Sequence, residues 1–138
     1  MKISIIASTF NKSITENLVK GAKDALKDKD VFVYWVPGAF ELPLACKWLA
    51  ESNDALVAVG TIIRGETPHF EYVSSAASQG IARISENSAV PIGFGVITAD
   101  TVDQAVARSL DDENNFGYKA ALAAIEMLKL RQQIANNK

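Results

Sequence analysis

The sequence predicts a three-layer α/β/α sandwich built on a four-stranded parallel sheet. Three observations carry that expectation. Four short, continuous apolar runs rich in β-branched residues recur at 3–7, 31–36, 55–59 and 92–97. Segments with helical spacing lie between them. No repeat, linker or low-complexity tract interrupts the alternation, so residues 1–138 read as one domain.

The four runs are too continuous for half-exposed strands, which alternate apolar and polar residues, and they read as buried parallel strands. After the first run, Ile14, Leu18, Ala22, Ala25 and Leu26 form one helical stripe. Ser13 and Glu16 have capping-box spacing at its start, as do Thr101 and Gln104 later in the chain. Glu41 falls in the first turn of the second helix. Thr67-Pro68 reads as a cap residue followed by proline at the first helical position. Phe70, Val73, Ala77, Ile81 and Ile84 then make the stripe of a third helix. The last helix is expected over 116–130 with Leu122, Ile125 and Leu128 inward, followed by a frayed polar tail at 132–138. The order βαβαβαβα implies right-handed crossovers and a flavodoxin-like arrangement, whose ligands bind beyond the carboxyl ends of the strands.

Composition narrows the functional classes. Fourteen basic and 16 acidic side chains give a net charge of −2 and leave no basic stripe for a phosphodiester backbone, so nucleic acid is not an expected partner. No apolar stretch is long enough to span a bilayer and Met1 leads straight into the first strand, which points to a cytoplasmic protein without membrane contact. A single cysteine, Cys46, excludes an internal disulfide and reads as a small core residue. With only His69 as companion it offers no soft-ligand cluster, so no metal site is expected unless carboxylates hold one.

The turns after the strands gather unusual residues: Phe10-Asn11 after the first, Gly38-Ala39-Phe40-Glu41 after the second, and Arg64-Gly65-Glu66-Thr67-Pro68-His69 after the third, while Phe94 lies within the fourth. Gly65 to Thr67 place free N–H groups at a helix start, where the dipole adds positive character, and so form a candidate phosphate seat as well as an ordinary capped turn. His69 falls off its helix's apolar stripe and is a candidate for proton transfer or a plain surface residue. Phe10 and Phe40 read as loop plugs over the sheet edge, with a role as binding faces the alternative. Glu41 either complements a helix dipole or meets a ligand. No Gly-x-Gly-x-x-Gly opens a helix, because Gly93-Phe94-Gly95 lies inside a strand, and neither a P-loop nor a serine elbow is present.

Three stretches in order resemble the lumazine synthase family: 36–43 (VPGAFELP), 60–73 (GTIIRGETPHFEYV) and 91–96 (PIGFGV). The resemblance runs from Ile3 to Leu130. It implies that Phe10 stacks on a pyrimidine, that Ala39, Phe40, Glu41, Thr61, Ile62 and Ile63 line the pyrimidine and ribityl site, and that Glu41 bonds the ribityl hydroxyls. It also implies that Glu66 and Thr67 receive a phosphate and that His69 donates a proton. Phe94 and Arg108 are similar to residues that a neighbouring subunit supplies, the first to the pyrimidine and the second to the phosphate. The implied partners are two small-molecule substrates and further copies of the chain, with riboflavin synthase as a candidate. No cofactor is implied.

The implied reaction condenses a ribitylaminopyrimidine with a four-carbon keto-phosphate, and positioning is expected to outweigh any single proton donor: roughly 7–11 kcal/mol against about 10²–10⁴-fold. The chain departs from the family pattern at 109–117, where Asp111, Asp112 and Glu113 replace a Gly- and Lys-rich connection, and it lacks the segment that precedes the first central strand in many relatives. The acidic connection favours an isolated pentamer over a decamer or an icosahedral shell, because like charges would meet between rings. Two other readings stand beside the enzyme: a flavin or lumazine carrier using the same pocket, and a shell protein that has lost activity.

Overall fold

In the computed structural model, which describes residues 1–138, helices flank an all-parallel sheet of four strands on both faces. The elements run β1 (Lys2–Ser8), α1 (Lys12–Ala25), β2 (Asp30–Val36), a 3-10 turn (Ala39–Glu41), α2 (Leu42–Ala50), β3 (Ala55–Ile63), α3 (His69–Ser88), β4 (Ile92–Ala99), α4 (Val102–Ala107) and α5 (Phe116–Asn136). The strand order is β2-β1-β3-β4, with Ile5 opposite both Val33 and Val57, and Val59 opposite Gly95.

Alternation along the two central strands builds two cores from one sheet. Ile3, Ile5, Ala7, Val57 and Val59 face α1 and α5, joining Leu18, Ala22, Ala121 and Leu128. Ile6, Leu56, Ala58 and Ile62 face α2 and α3, joining Leu42, Cys46, Ala77 and Ile81. Every residue of β3 before Ile63 is buried, as its continuous apolar run predicts.

The second run behaves differently. Strand β2 alternates exposed and half-buried residues, with Phe32, Tyr34 and Trp35 between 39% and 43% exposed. It is an edge strand, so nothing in this chain covers its outer rim, and its aromatic faces are shielded only by Lys2 over Phe32 and Lys12 over Trp35. Periodicity registers apolar content and not sheet position.

Helix starts also depart from the expected caps. Helix α1 opens one residue before Ser13, at Lys12, because Asn11 takes a left-handed conformation (φ 57°) and its carbonyl receives the N–H of Ile14 and Thr15. The Asn11 side chain is bonded instead to the carbonyl of Thr61, so a tertiary anchor displaces the Ser13–Glu16 box. At α3 the cap position is Pro68 itself and the helix begins at His69; Thr67 offers only a 3.4 Å bond to the His69 N–H. The Thr101–Gln104 capping box is present in both directions and opens α4.

Helix α5 meets the sheet on a face that only partly matches the expected one: Leu128 is buried and Ile125 packs half-buried against the core, but Leu122 turns outward. Leu122 is 40% exposed, while Gly117, Ala120, Ala121, Ala124 and Leu128 are buried. The cause is close approach: a Cβ at Gly93 would lie 2.0 Å from the Ala120 carbonyl oxygen, and one at Gly95 3.1 Å from the Ala120 methyl. The glycines of β4 thus form the bed for α5. The helix continues to Asn136 through the segment expected to fray, and Arg131 donates to the Ala89 carbonyl just beyond α3.

Two expectations follow for stability. Gly117→Ala would drive a Cβ to 1.9 Å from the Leu18 carbonyl oxygen, and at fixed protein concentration it should cost about 1–3 kcal/mol or more in urea unfolding. Burial beneath α2 pushes the Cys46 thiol up from 9.0 to about 12. Its contribution is therefore intact below pH 9 and is lost between pH 9 and 12, where only the unfolded chain ionises. Unfolding curves across that range should fall less steeply for Cys46→Ala.

Candidate functional site

Parallel strands deliver their carboxyl ends to one edge, and the turns beyond β1, β2 and β3 meet there. They enclose a cavity of about 560 Å³ lined by residues that include Phe10, Ala39, Phe40, Glu41, Thr61 and His69. Nine of the residues singled out in the sequence line it, the others being Ile62, Ile63 and Thr67.

The Phe10 turn is fastened at both sides. The N–H and the hydroxyl of Thr9 both donate to the Val36 carbonyl, at 2.8 and 2.9 Å, tying the turn to the end of β2. Asn11 ties it to β3 through Thr61 at 3.3 Å. Phe10 itself stays 72% exposed, and Phe40 across the cavity 63% exposed, so neither is a plug. Two aromatic faces open on a pocket are what a planar ring would stack against.

The 3-10 turn places Ala39 on the floor and Glu41 half-buried at the wall, next to Gly38, where a Cβ would sit 3.3 Å from a Glu41 carboxylate oxygen. Thr61 is 2% exposed and its hydroxyl pairs with that of Thr15 at 2.9 Å. Its carbonyl accepts from Asn11, so Thr61 is tied to both α1 and the Phe10 turn and shapes the floor.

At the other end lies the stretch between β3 and α3. The N–H groups of Gly65, Glu66 and Thr67 have no hydrogen-bond partner within the chain, and they precede a 20-residue helix whose dipole ends here. His69, the first residue of α3, is exposed and borders the cavity. Donors for an anion and a titratable ring thus border the same pocket as two open aromatic faces and a carboxylate.

Three predicted residues are not in this cavity. Glu66 is exposed outside it. Phe94, 44% exposed on the edge strand β4, lines a separate cavity of about 410 Å³ with residues of α3, including Ile81 and Ser85. Arg108, just past α4, is exposed and donates to the Gln104 carbonyl at 2.9 Å.

Sequence reasoning missed Gly38, Phe70 and Val73 as lining residues. Phe70 and Val73 lie on the α3 stripe assigned to the core, whose first turn overhangs the sheet edge. Asn11 was missed as an anchor, although asparagine is among the few residues that readily take a left-handed turn, here just before α1.

Comparison with known proteins shows the family. A family described as 6,7-dimethyl-8-ribityllumazine synthase matches residues 1–132. A protein of Syntrophus aciditrophicus (strain SB) named 6,7-dimethyl-8-ribityllumazine synthase is 50% identical over 141 residues, spanning 97% of this chain and 92% of that relative. The chain belongs to the 6,7-dimethyl-8-ribityllumazine synthase family.

Proposed function

We propose that this cavity condenses a 5-amino-6-ribitylaminopyrimidine with a four-carbon keto-phosphate to give 6,7-dimethyl-8-ribityllumazine. The observation that carries the reading is the meeting, in one cavity, of open aromatic faces and Glu41 with unpaired N–H groups and His69. An aromatic heterocycle with a polyol tail fits the first set. A phosphorylated partner fits the second.

Phe10 stacks on the pyrimidine, Glu41 accepts from ribityl hydroxyls, and Ala39, Phe40, Thr61, Ile62 and Ile63 shape the slot between them. The N–H groups around Glu66 and Thr67 take the phosphate, with the Glu66 side chain outside the cavity. The 5-amino group attacks the ketone and loses water to give an imine, phosphate is eliminated, and ring closure through the ribitylamino nitrogen with loss of a second water completes the lumazine. His69 transfers a proton during these steps. Most of the acceleration comes from holding two reactants in register, which is worth roughly 7–11 kcal/mol. Mixing the two substrates with the protein and following lumazine absorbance tests the reading, and absence of turnover in correctly folded protein would leave a binding role instead.

The site is completed by a neighbouring copy. Phe94 and Arg108 lie outside this chain's cavity, and the exposed rings of Phe10 and Phe40 have no cover within the chain. An interface joining one surface of a subunit to a different surface of the next closes into a ring, here a pentamer. Asp111 already pairs with Lys20 at 3.6 Å, but Asp112 and Glu113 remain exposed and make no ion pair, so ring-to-ring contact stays unfavourable.

Phe10→Ala is expected to raise KM for the pyrimidine much more than for the keto-phosphate, and Arg108→Ala to do the reverse; equal effects on both substrates would break this division of the site. Light scattering at physiological salt should return the mass of five chains. A particle of sixty, stable on dilution, would contradict the charge argument.

A further inference from the structure

The turn that presents the anion donors has few supports of its own. Gly65, Glu66, Thr67 and Pro68 are exposed, the first three have no N–H partner, and nothing surrounds the Cβ position of Gly65 within 4 Å. Arg64 is the exception. Its N–H continues the sheet by donating to the Ala99 carbonyl at 2.9 Å. Its Nε donates to Asp100 at 2.8 Å just past β4, its Nη1 to Glu71 in the first turn of α3, and its guanidinium lies over the Phe70 ring, 4.5 Å from the centroid. One side chain therefore joins both ends of the turn: the end of the sheet, and the first turn of the helix whose Phe70 lines the cavity.

We infer that Arg64 is a positioning residue that fixes the 64–68 turn, and with it the N–H groups that meet the phosphate, without itself binding the anion. The inference rests on the anion role proposed above. Its charge is the first argument: one guanidinium faces two carboxylates, so the cluster is net negative and gives no attraction for a phosphate. Its geometry is the second: two of its nitrogens and one face are already engaged, and Arg64 does not line the cavity. The mutual pairing also holds the Glu71 carboxyl below the usual carboxylate range, through its hydrogen bond to Arg64. An exposed ion pair contributes little to global stability. Here its effect is on where four otherwise loosely held residues sit, and small misplacements of donors are costly for recognition and rate.

The test separates positioning from direct binding by the sign of an effect. Inorganic phosphate binding is measured by calorimetry at 0.15 M salt for the parent, Arg64→Gln, Arg64→Lys, and the double variant Glu71→Gln/Asp100→Asn. Arg64→Gln should weaken phosphate binding about tenfold, on the scale of a modest displacement of oriented donors, and raise KM for the keto-phosphate by a similar factor with KM for the pyrimidine little changed. Lysine should recover only part, since it cannot bridge two carboxylates and stack on a ring. The double variant removes two negative charges and frees the guanidinium, so it would strengthen phosphate binding if Arg64 were a ligand. Positioning requires it to weaken. Binding as tight as the parent's, or tighter, in the double variant overturns the inference whether or not Arg64→Gln folds. A parent that forms lumazine and binds phosphate while the variants are unaffected removes only this inference; a parent that does neither removes the proposed function with it.

Discussion

Parallel pairing is the constraint on which the site depends. Because β1, β2 and β3 all run the same way, Phe10, Phe40 and His69, each beyond the end of a different strand, arrive at one edge with no long loop to carry them. The cross-ties are short and specific. Thr9 to Val36 and Asn11 to Thr61 lock the first turn to its neighbours, and the Thr15–Thr61 hydroxyl pair fixes α1 against β3 directly below. A binding surface assembled this way inherits the rigidity of the sheet, which suits a reaction whose main requirement is that two reactants be held in register.

Legibility in the sequence tracked how local each cause was. The buried runs of β1 and β3, the α1 stripe and the Thr101–Gln104 box depend on residues a few positions apart, and all were readable. The edge position of β2 depends on the order in which strands pair, which no local pattern encodes. The inward face of α5 depends in part on two glycines in another element: Gly93 and Gly95 let Ala120 lie directly on β4, so alanines share that face with Ile125 and Leu128 while Leu122 turns outward. The Ser13–Glu16 box lost to Asn11 for a similar reason, since a contact fifty residues away outweighed a hydrogen bond three residues away.

The site divided along the same line. Position alone offered Glu41 and the turn before α3 only beside plainer readings, a helix-dipole partner and an ordinary capped turn, and it did not show the openness of Phe10 and Phe40, because a ring on a loop reads the same whether it plugs an edge or faces solvent. Phe70 and Val73 were hidden within a stripe that is core along most of its length and cavity wall in its first turn. The acidic connection was conspicuous as a departure from family pattern, yet the residue that organises it is Asn115: buried, capping α5 through the Tyr118 N–H, and bonded to the carbonyls of Asn17 and Leu110. Gly21 leaves the room it fills, since a Cβ there would lie 2.2 Å from the asparagine oxygen. The connection is thus held by a neutral amide, and its charges are free to vary.

The exposed aromatics on the rim of the molecule give the protein an unequal set of optical reporters. Its two indoles, Trp35 on β2 and Trp48 on α2, are 39% and 70% exposed, and neither borders the cavity. Trp48 in the folded chain already sees nearly as much water as it would in a disordered one, so its emission barely registers the loss of tertiary structure. A substrate entering between Phe10 and His69 leaves both indoles in their existing surroundings. A second protein surface laid over α2 or the β2 edge would instead exchange water for apolar contact and move their emission to shorter wavelength. The wavelength of intrinsic emission in this chain is thus a gauge of who its neighbours are.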